Sequence, residues 1–206
     1  AVRLGRTESR RWVRRLGYTA LGTVIVQALL GGATVLLMLP PQMSIAHAVL
    51  GPAVFCLVVC LAWCTQPAWP VAPASCGDGR FPPLRWLGVA VALLVFIQLC
   101  LGAVIRHTGY AVFVHIIGAV VLGLMAGWLA SRTVPLRLHA PTVCRHAMRL
   151  LTLIMGQLVL GASVFMHRGS VGLRTAHVVL GALVLAQAVV LAWATIRCAP
   201  MQKPVR

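Results

Sequence analysis

Three of the seven histidines in this 206-residue chain recur in a pattern able to hold a cofactor. His47, His115 and His177 each follow a Gln-x-x-Leu-Gly segment: Gln27-Ala-Leu-Leu30-Gly31, Gln98-Leu-Cys-Leu101-Gly102 and Gln157-Leu-Val-Leu160-Gly161. The interval from glutamine to histidine is identical in the first and third copies and slightly shorter in the second. Ala46-His47-Ala-Val-Leu50-Gly51 is echoed by Ala176-His177-Val-Val-Leu180-Gly181, and His115 is followed by Gly118-Ala119. A single histidine in an apolar stretch is more often an interfacial side chain or an interhelical hydrogen bond than a ligand. Three in register reverse those odds. Each falls three to six residues past its outer loop, roughly 5–9 Å below the outer boundary at 1.5 Å per residue. Repeated ionisable residues at one depth argue for a ligand held in the core of a helical bundle.

A neutral imidazole can bind a metal, relay a proton or bridge helices. Zinc asks for further Cys, His or carboxylate ligands, and no Asp or Glu lies in any apolar run. Proton relays that chain His with acids meet the same lack. The seven cysteines contain no Cys-x-x-Cys pair. Cys56, Cys60 and Cys64 form an i, i+4, i+8 stripe, Cys100 stands alone, and Cys76, Cys144 and Cys198 fall on or near the inner side. They read as small buried hydrophobes. Haem suits the inventory better, because it needs one or two axial imidazoles, an apolar slot and cations for its propionates. Arg106, Arg168 and Arg174 fall at the same outer rim. Arginine can grip a carboxylate with two parallel bonds, and snorkelling at the interface is the competing role. The glycine after each Gln-x-x-Leu would admit a flat macrocycle or, more ordinarily, a closely packed helix. Gln27, Gln98 and Gln157 fall near mid-membrane and read as interhelical hydrogen-bonding groups.

The elements that must carry these residues are membrane helices. The chain is 60% hydrophobic and 10% charged, where a soluble domain is about a quarter charged. Glu8 and Asp78 are its only acids, the net charge is +16, and residues 16–77 carry no charge at all. These values exclude a soluble globule, a disordered tail and a secreted disulfide scaffold. A nucleic-acid binder of similar basicity would cluster its cations on one exposed face; here they cap apolar runs, so no nucleic-acid partner is expected. A span needs about 20 residues, and six segments qualify: Gly17–Leu39, Met43–Cys64, Trp86–Ile105, Tyr110–Ser131, Leu150–His167 and Val171–Ala194. Pro40-Pro41, the stretch Pro67–Pro83, and Pro135 with Pro141 separate them, and Pro52 should kink the second. Fifteen of the eighteen cations fall on one side, against Arg106, Arg168 and Arg174 on the other. Both termini are therefore expected on the cytoplasmic (or matrix) side of a multi-pass protein of the cell inner (plasma) membrane. The fifteen inner cations are read as topology signals and contacts to the lipid bilayer.

The fold class expected is an all-α membrane protein: six transmembrane helices as three repeated hairpins, the last four forming a complete four-helix bundle and the first two half of a second. The organisation reads as a basic tail over 1–16, a hairpin over 17–66, a Pro-rich inner loop over 67–85, a four-helix haem-binding bundle over 86–196 and a tail over 197–206. His107 and His167 read as residues of wet loops, and His139 and His146 as ordinary inner-side residues.

One stretch narrows the reading further. Gln98-x-x-Leu101-Gly102-Ala-Val-Ile-Arg106-His107-Thr108-Gly109, followed by His115, resembles haem A synthase, as do Gln27-x-x-Leu30-Gly31-Gly32-x-Thr34-Val35, Leu39-Pro40-Pro41 and His47. The resemblance covers essentially the whole chain. It implies a family with eight transmembrane helices in two pseudo-symmetric bundles, of which this sequence is similar to the last six. The chain begins with Ala1, and its start is read as a truncation inside a longer protein.

By that resemblance, His115 and His177 would be the axial ligands of a haem b, with Arg106 and Arg174 as cofactor-binding cations. His47 would belong to the catalytic site holding haem O. The reaction implied is oxidation of a peripheral methyl group of haem O to the aldehyde of haem A for cytochrome oxidase. Haem O synthase and cytochrome oxidase assembly proteins are the partners implied, and the electron acceptor stays open. In the family, the first hairpin supplies a further histidine, a glutamate and, in many members, a cysteine pair. None has a counterpart here, so catalysis by this chain alone is not expected. The alternative reading is a non-catalytic bis-histidine b-type membrane cytochrome or haem carrier, which needs only His115, His177 and the outer arginines. A small transporter of repeated hairpins comes third, because histidine and glutamine are its only polar path.

Overall fold

The computed structural model describes residues 2–66 and 79–198. Most of the Pro-rich loop read over 67–85, with Cys76 and Asp78, lies outside the described residues, as does the tail from 199 onward. Among the described residues there are seven α-helices and no strands: α1 (Val2–Thr7), α2 (Arg11–Leu36), α3 (Pro41–Cys64), α4 (Leu84–Thr108), α5 (Val112–Thr133), α6 (Pro141–Met166) and α7 (Val171–Arg197). A short 3₁₀ turn, Val134–Leu136, follows α5. Six of the helices are long and apolar enough to cross a bilayer. The all-α membrane class expected from composition is the class observed.

The helix ends differ from the sequence expectation in instructive ways. Pro141 reads as a break, with the fifth span beginning at Leu150, yet α6 starts at Pro141. A proline at the first helical position loses no hydrogen bond, because that N–H has no intrahelical acceptor anyway. Pro41 opens α3 in the same way. Pro52 leaves α3 unbroken. Part of the expected basic tail is helical: α1 occupies its start, and α2 begins at Arg11, well before Gly17. Between α2 and α3 the chain reverses through Met38 and Leu39, both left-handed with φ of +59° and +63°. Leu39 N–H returns to Thr34 O at 2.7 Å. The turn from α4 to α5 uses Gly109 at φ +77°. Ser170 caps α7, its hydroxyl accepting from Leu173 N–H at 3.3 Å.

The chain divides into two compact units, Ala1–Pro70 with Leu99–Phe113, and Val71–Gln98 with Val114–Arg206. This division passes through α4, whereas the sequence reading kept 86–196 as one bundle.

In the first unit α2 packs along α3, and α1 folds against α2. Leu4 lies over Gly17, and the Tyr18 hydroxyl occupies the space a side chain at Gly5 would need. Glu8 closes the turn between α1 and α2, accepting from Arg10 Nε and Nη2, both at 2.8 Å. That guanidinium holds the Glu8 carboxyl down to about 2. Cys56, Cys60 and Cys64 are buried along one face of α3, as read.

In the second unit α6 and α7 form a long antiparallel pair. Gly88 of α4 fits against Ala192 and Thr195 of α7, and Gly123 of α5 against Leu158 of α6. Val91, Leu129, Leu150, Ile154 and Leu191 are essentially solvent-free. At the C-terminal end of α5 Arg132 is buried over the Trp128 ring and donates to Pro82 O at 2.6 Å and Arg80 O at 3.0 Å. A guanidinium can cap carbonyls that a loop would otherwise leave bare. Cys198, at the C-cap of α7, is engaged in a disulfide and so departs from the buried-thiol role read for the cysteines.

Candidate functional site

The repeated residues meet inside each hairpin, and they do so side chain to main chain. In the α2–α3 hairpin the Gln27 amide donates to His47 O at 3.0 Å. In the α6–α7 hairpin the Gln157 amide donates to His177 O at 3.0 Å. The glycines complete the arrangement. A side chain at Gly31 would come within 3.0 Å of His47 Cε1, and one at Gly161 within 3.0 Å of His177 Cε1. A side chain at Gly51 would meet the Gln27 amide nitrogen at 3.1 Å, and one at Gly181 the Gln157 amide nitrogen at 3.2 Å. Four positions thus interlock: one glycine makes room for the imidazole, the other for the glutamine head. In the α4–α5 hairpin Gln98 is buried and its amide nitrogen fills the space beside Gly118.

The sequence reading of these glycines as helix-packing or macrocycle-approach positions is thereby made specific. What approaches Gly31 and Gly161 is the histidine of the same hairpin. The interval shared by the two hairpins is the one an antiparallel pair of helices needs to bring Gln and His level with one another.

Ring protonation follows from the partners. His47 Nδ1 faces Gln27 O at 3.2 Å. A carbonyl only accepts, so Nδ1 carries the proton and Nε2 keeps its lone pair. A main-chain carbonyl holding one ring nitrogen is the usual support for a histidine that ligates through the other. At His177 the Gln157 amide nitrogen stands 3.4 Å from Nε2, a long approach that again puts the proton on Nδ1. That Nδ1 is buried and without a hydrogen-bond partner. His115 lies against the Gln98 main chain, yet its Nδ1 is likewise buried and unpartnered. The side-chain oxygens of Gln27, Gln98 and Gln157 share that state, as does the Ser44 hydroxyl. Leaving one such group unsatisfied costs roughly 1–3 kcal/mol.

The structure places His115 on α5 and His177 on α7, both in the second unit. They stand close enough to act on one another electrostatically. Arg174 lies in the first turn of α7, exposed, three residues before His177. His47 on α3 and Arg106 in the exposed last turn of α4 belong to the first unit. Arg168 sits in the α6–α7 turn over the Phe165 ring, 4.8 Å away. His167 is exposed, as expected of a loop residue.

One pair escapes the sequence reading. Gln187 of α7 donates to His146 O of α6 at 3.0 Å, and its amide nitrogen is 3.0 Å from His146 Nδ1. His146 reads from sequence as an ordinary inner-side histidine. It instead repeats the glutamine–histidine interlock with the helices exchanged, across a much longer stretch of chain and in the opposite order. A search for Gln before His at a fixed interval cannot find it; a search for polar residues facing one another across an antiparallel pair can.

The donor set suits a bis-imidazole haem iron: two imidazoles stand in the second unit with no carboxylate in their helices. No group of three or more His, Cys, Asp or Glu able to hold a bare metal ion occurs among the described residues. Comparison with protein-family models, with curated proteins and with solved structures finds no match to this chain.

Proposed function

We propose that the chain works in haem A synthesis in the inner membrane, with His115 and His177 holding a haem b and His47 belonging to the haem O substrate site. The observation that carries this reading is the pair of imidazoles in the second unit, one on α5 and one on α7, with no carboxylate in either helix. A haem held by His115 and His177 would supply one-electron transfer rather than oxygen binding. The chain's own residues supply the rest. Gln157 ties α6 to α7 through His177 O, and Gln98 is buried beside Gly118. Gly161 gives the His177 imidazole its space. Arg174, one helical turn before His177, would pair with a propionate. His47, its Nδ1 proton committed to Gln27 O, presents the Nε2 lone pair. The excess of cations on one side supports cytoplasmic termini.

The cofactor is tested by the reduced-minus-oxidised spectrum of the purified protein. A low-spin haem b signal is expected, absent in His115→Ala and His177→Ala and present in His47→Ala. Loss of the signal in His47→Ala alone overturns the assignment of the sites. The reaction is tested in cells that co-express the protein with haem O synthase, whose extracted pigment should contain haem A. A second reading, a membrane b-type cytochrome or haem carrier, is favoured by the completeness of the donor pair within one unit. Pigment containing haem O alone, with the haem b signal intact, selects it.

A further inference from the structure

We infer that Gln98 and Gln157 are positioning residues that set the basicity of the two imidazoles, and through it the reduction potential of the iron they hold; this rests on the haem b reading above. Buried donors and buried acceptors are left over in matching numbers in the second unit. His115 Nδ1 and His177 Nδ1 lack a partner, and so do Gln98 Oε1 and Gln157 Oε1. Each hairpin contributes one of each. Gln98 is more than nine-tenths buried, so water does not reach it from the surface. The Gln157 head already touches the ring, at 3.4 Å from His177 Nε2, and its amide is pinned to His177 O.

When iron takes the Nε2 lone pair, that amide contact is lost. The ring's Nδ1–H then requires an acceptor in surroundings where an unmet donor is costly. The free carbonyl oxygen of the glutamine in the same hairpin is the acceptor the sequence provides. A ligating imidazole whose second nitrogen donates to an oxygen is a stronger base toward the metal. Stronger donation favours ferric over ferrous iron and lowers the potential. At His47 the acceptor is instead a main-chain carbonyl, Gln27 O, which no side-chain substitution removes.

The test is a redox titration of the purified haem-loaded protein, followed by its absorbance. Gln98→Leu and Gln157→Leu should each keep the low-spin spectrum and raise the midpoint potential, and the double variant should raise it further. Gln187→Leu removes an equivalent grip on His146 in the same α6–α7 pair and should leave the potential unchanged. Gln157→Asn, which keeps the amide one methylene short, reads the same quantity if the leucine variant accumulates poorly, and should also shift it upward. An unchanged midpoint in the Gln98 and Gln157 variants, with the haem spectrum intact, overturns the inference and leaves the haem b reading standing. An equal shift in Gln187→Leu also overturns it, because it would assign the effect to loosened helices. A wild-type protein without the bis-imidazole spectrum overturns the haem b reading and this inference with it.

Discussion

The α2–α3 and α6–α7 hairpins hold the same four side chains at the same spacing, yet leave their histidines in different states. In both, the glutamine amide donates to the histidine carbonyl at 3.0 Å, and a side chain at the glycine would meet the imidazole at 3.0 Å. In the first, His47 Nδ1 has an acceptor at 3.2 Å. In the second, His177 Nδ1 has none, and the ring has His115 within electrostatic range. Burial separates them too. About a tenth of the most apolar stretch of α2, of α3 and of α6 is buried within the protein, against 44% of that of α7. The repeated motif therefore builds the hairpin, and the neighbouring helices decide what its histidine can do.

The largest separation between the two hairpins is expected from the rings themselves. His177→Ala should remove the whole haem b signal and His47→Ala none of it, read from difference spectra at equal protein concentration. Equal losses would mean that the hairpins are functionally as well as locally equivalent.

The next largest effect comes from the glycines. A methyl at Gly161 or Gly31 meets an imidazole carbon at 3.0 Å, so the ring or the helix must yield, at about 1–3 kcal/mol for an overpacked site. Both alanine variants should lower the thermal unfolding midpoint in detergent. Only Gly161→Ala should also lower the haem-to-protein ratio. A fall in that ratio in Gly31→Ala would tie His47 to haem b.

Smaller still is the interhelical grip. Gln27→Leu and Gln187→Leu each remove one amide bond of 3.0 Å to a histidine carbonyl. Each should cost about 0.6–1.7 kcal/mol, the range of single hydrogen bonds between membrane helices. Similar losses are expected, measured by unfolding in mixed detergent. A several-fold larger loss in either would show that its glutamine is coupled to more than its own hairpin.

The smallest effect lies at charged side chains near helix ends, where the units again differ. The first closes its turn with Glu8 and Arg10, a half-buried ion pair near the surface and worth little. Because the Glu8 carboxyl is held down to about 2, whatever the pair contributes is fully present above the ordinary value of 4.5. It is lost as the pH falls from there through 2. The small difference in unfolding temperature between wild type and Glu8→Gln should therefore be constant above that range and close within it. The second unit uses Arg132 on the neutral carbonyls of Arg80 and Pro82.

Much of this is legible along the chain. Length and apolarity demand six crossings, because a helix satisfies its own backbone groups where lipid cannot. The Gln-to-His repeat is legible as a repeat, but the meeting is not: the glutamines read as mid-membrane and the histidines as nearer the outer boundary, whereas the Gln27 and Gln157 amides reach the histidine carbonyls of their hairpins. Other features are not legible, each for a physical reason. Proline does not announce whether it breaks a helix or opens one, so the start of α6 at Pro141 differs from the expected Leu150. Gln187 and His146 stay hidden because their partnership depends on the register of two helices rather than on a repeated interval.

Sequence by itself determined the membrane class, the six long apolar helices and the recurrence of glutamine and histidine along them, because these depend on hydrophobicity and local helical geometry. Only the tertiary structure decided which ring nitrogens are satisfied. It alone set His115 and His177 in one unit and passed the boundary between units through α4. Those outcomes depend on which helices pack together, and in a chain where nearly every helix face is apolar, composition does not distinguish a face that meets lipid from one that meets another helix.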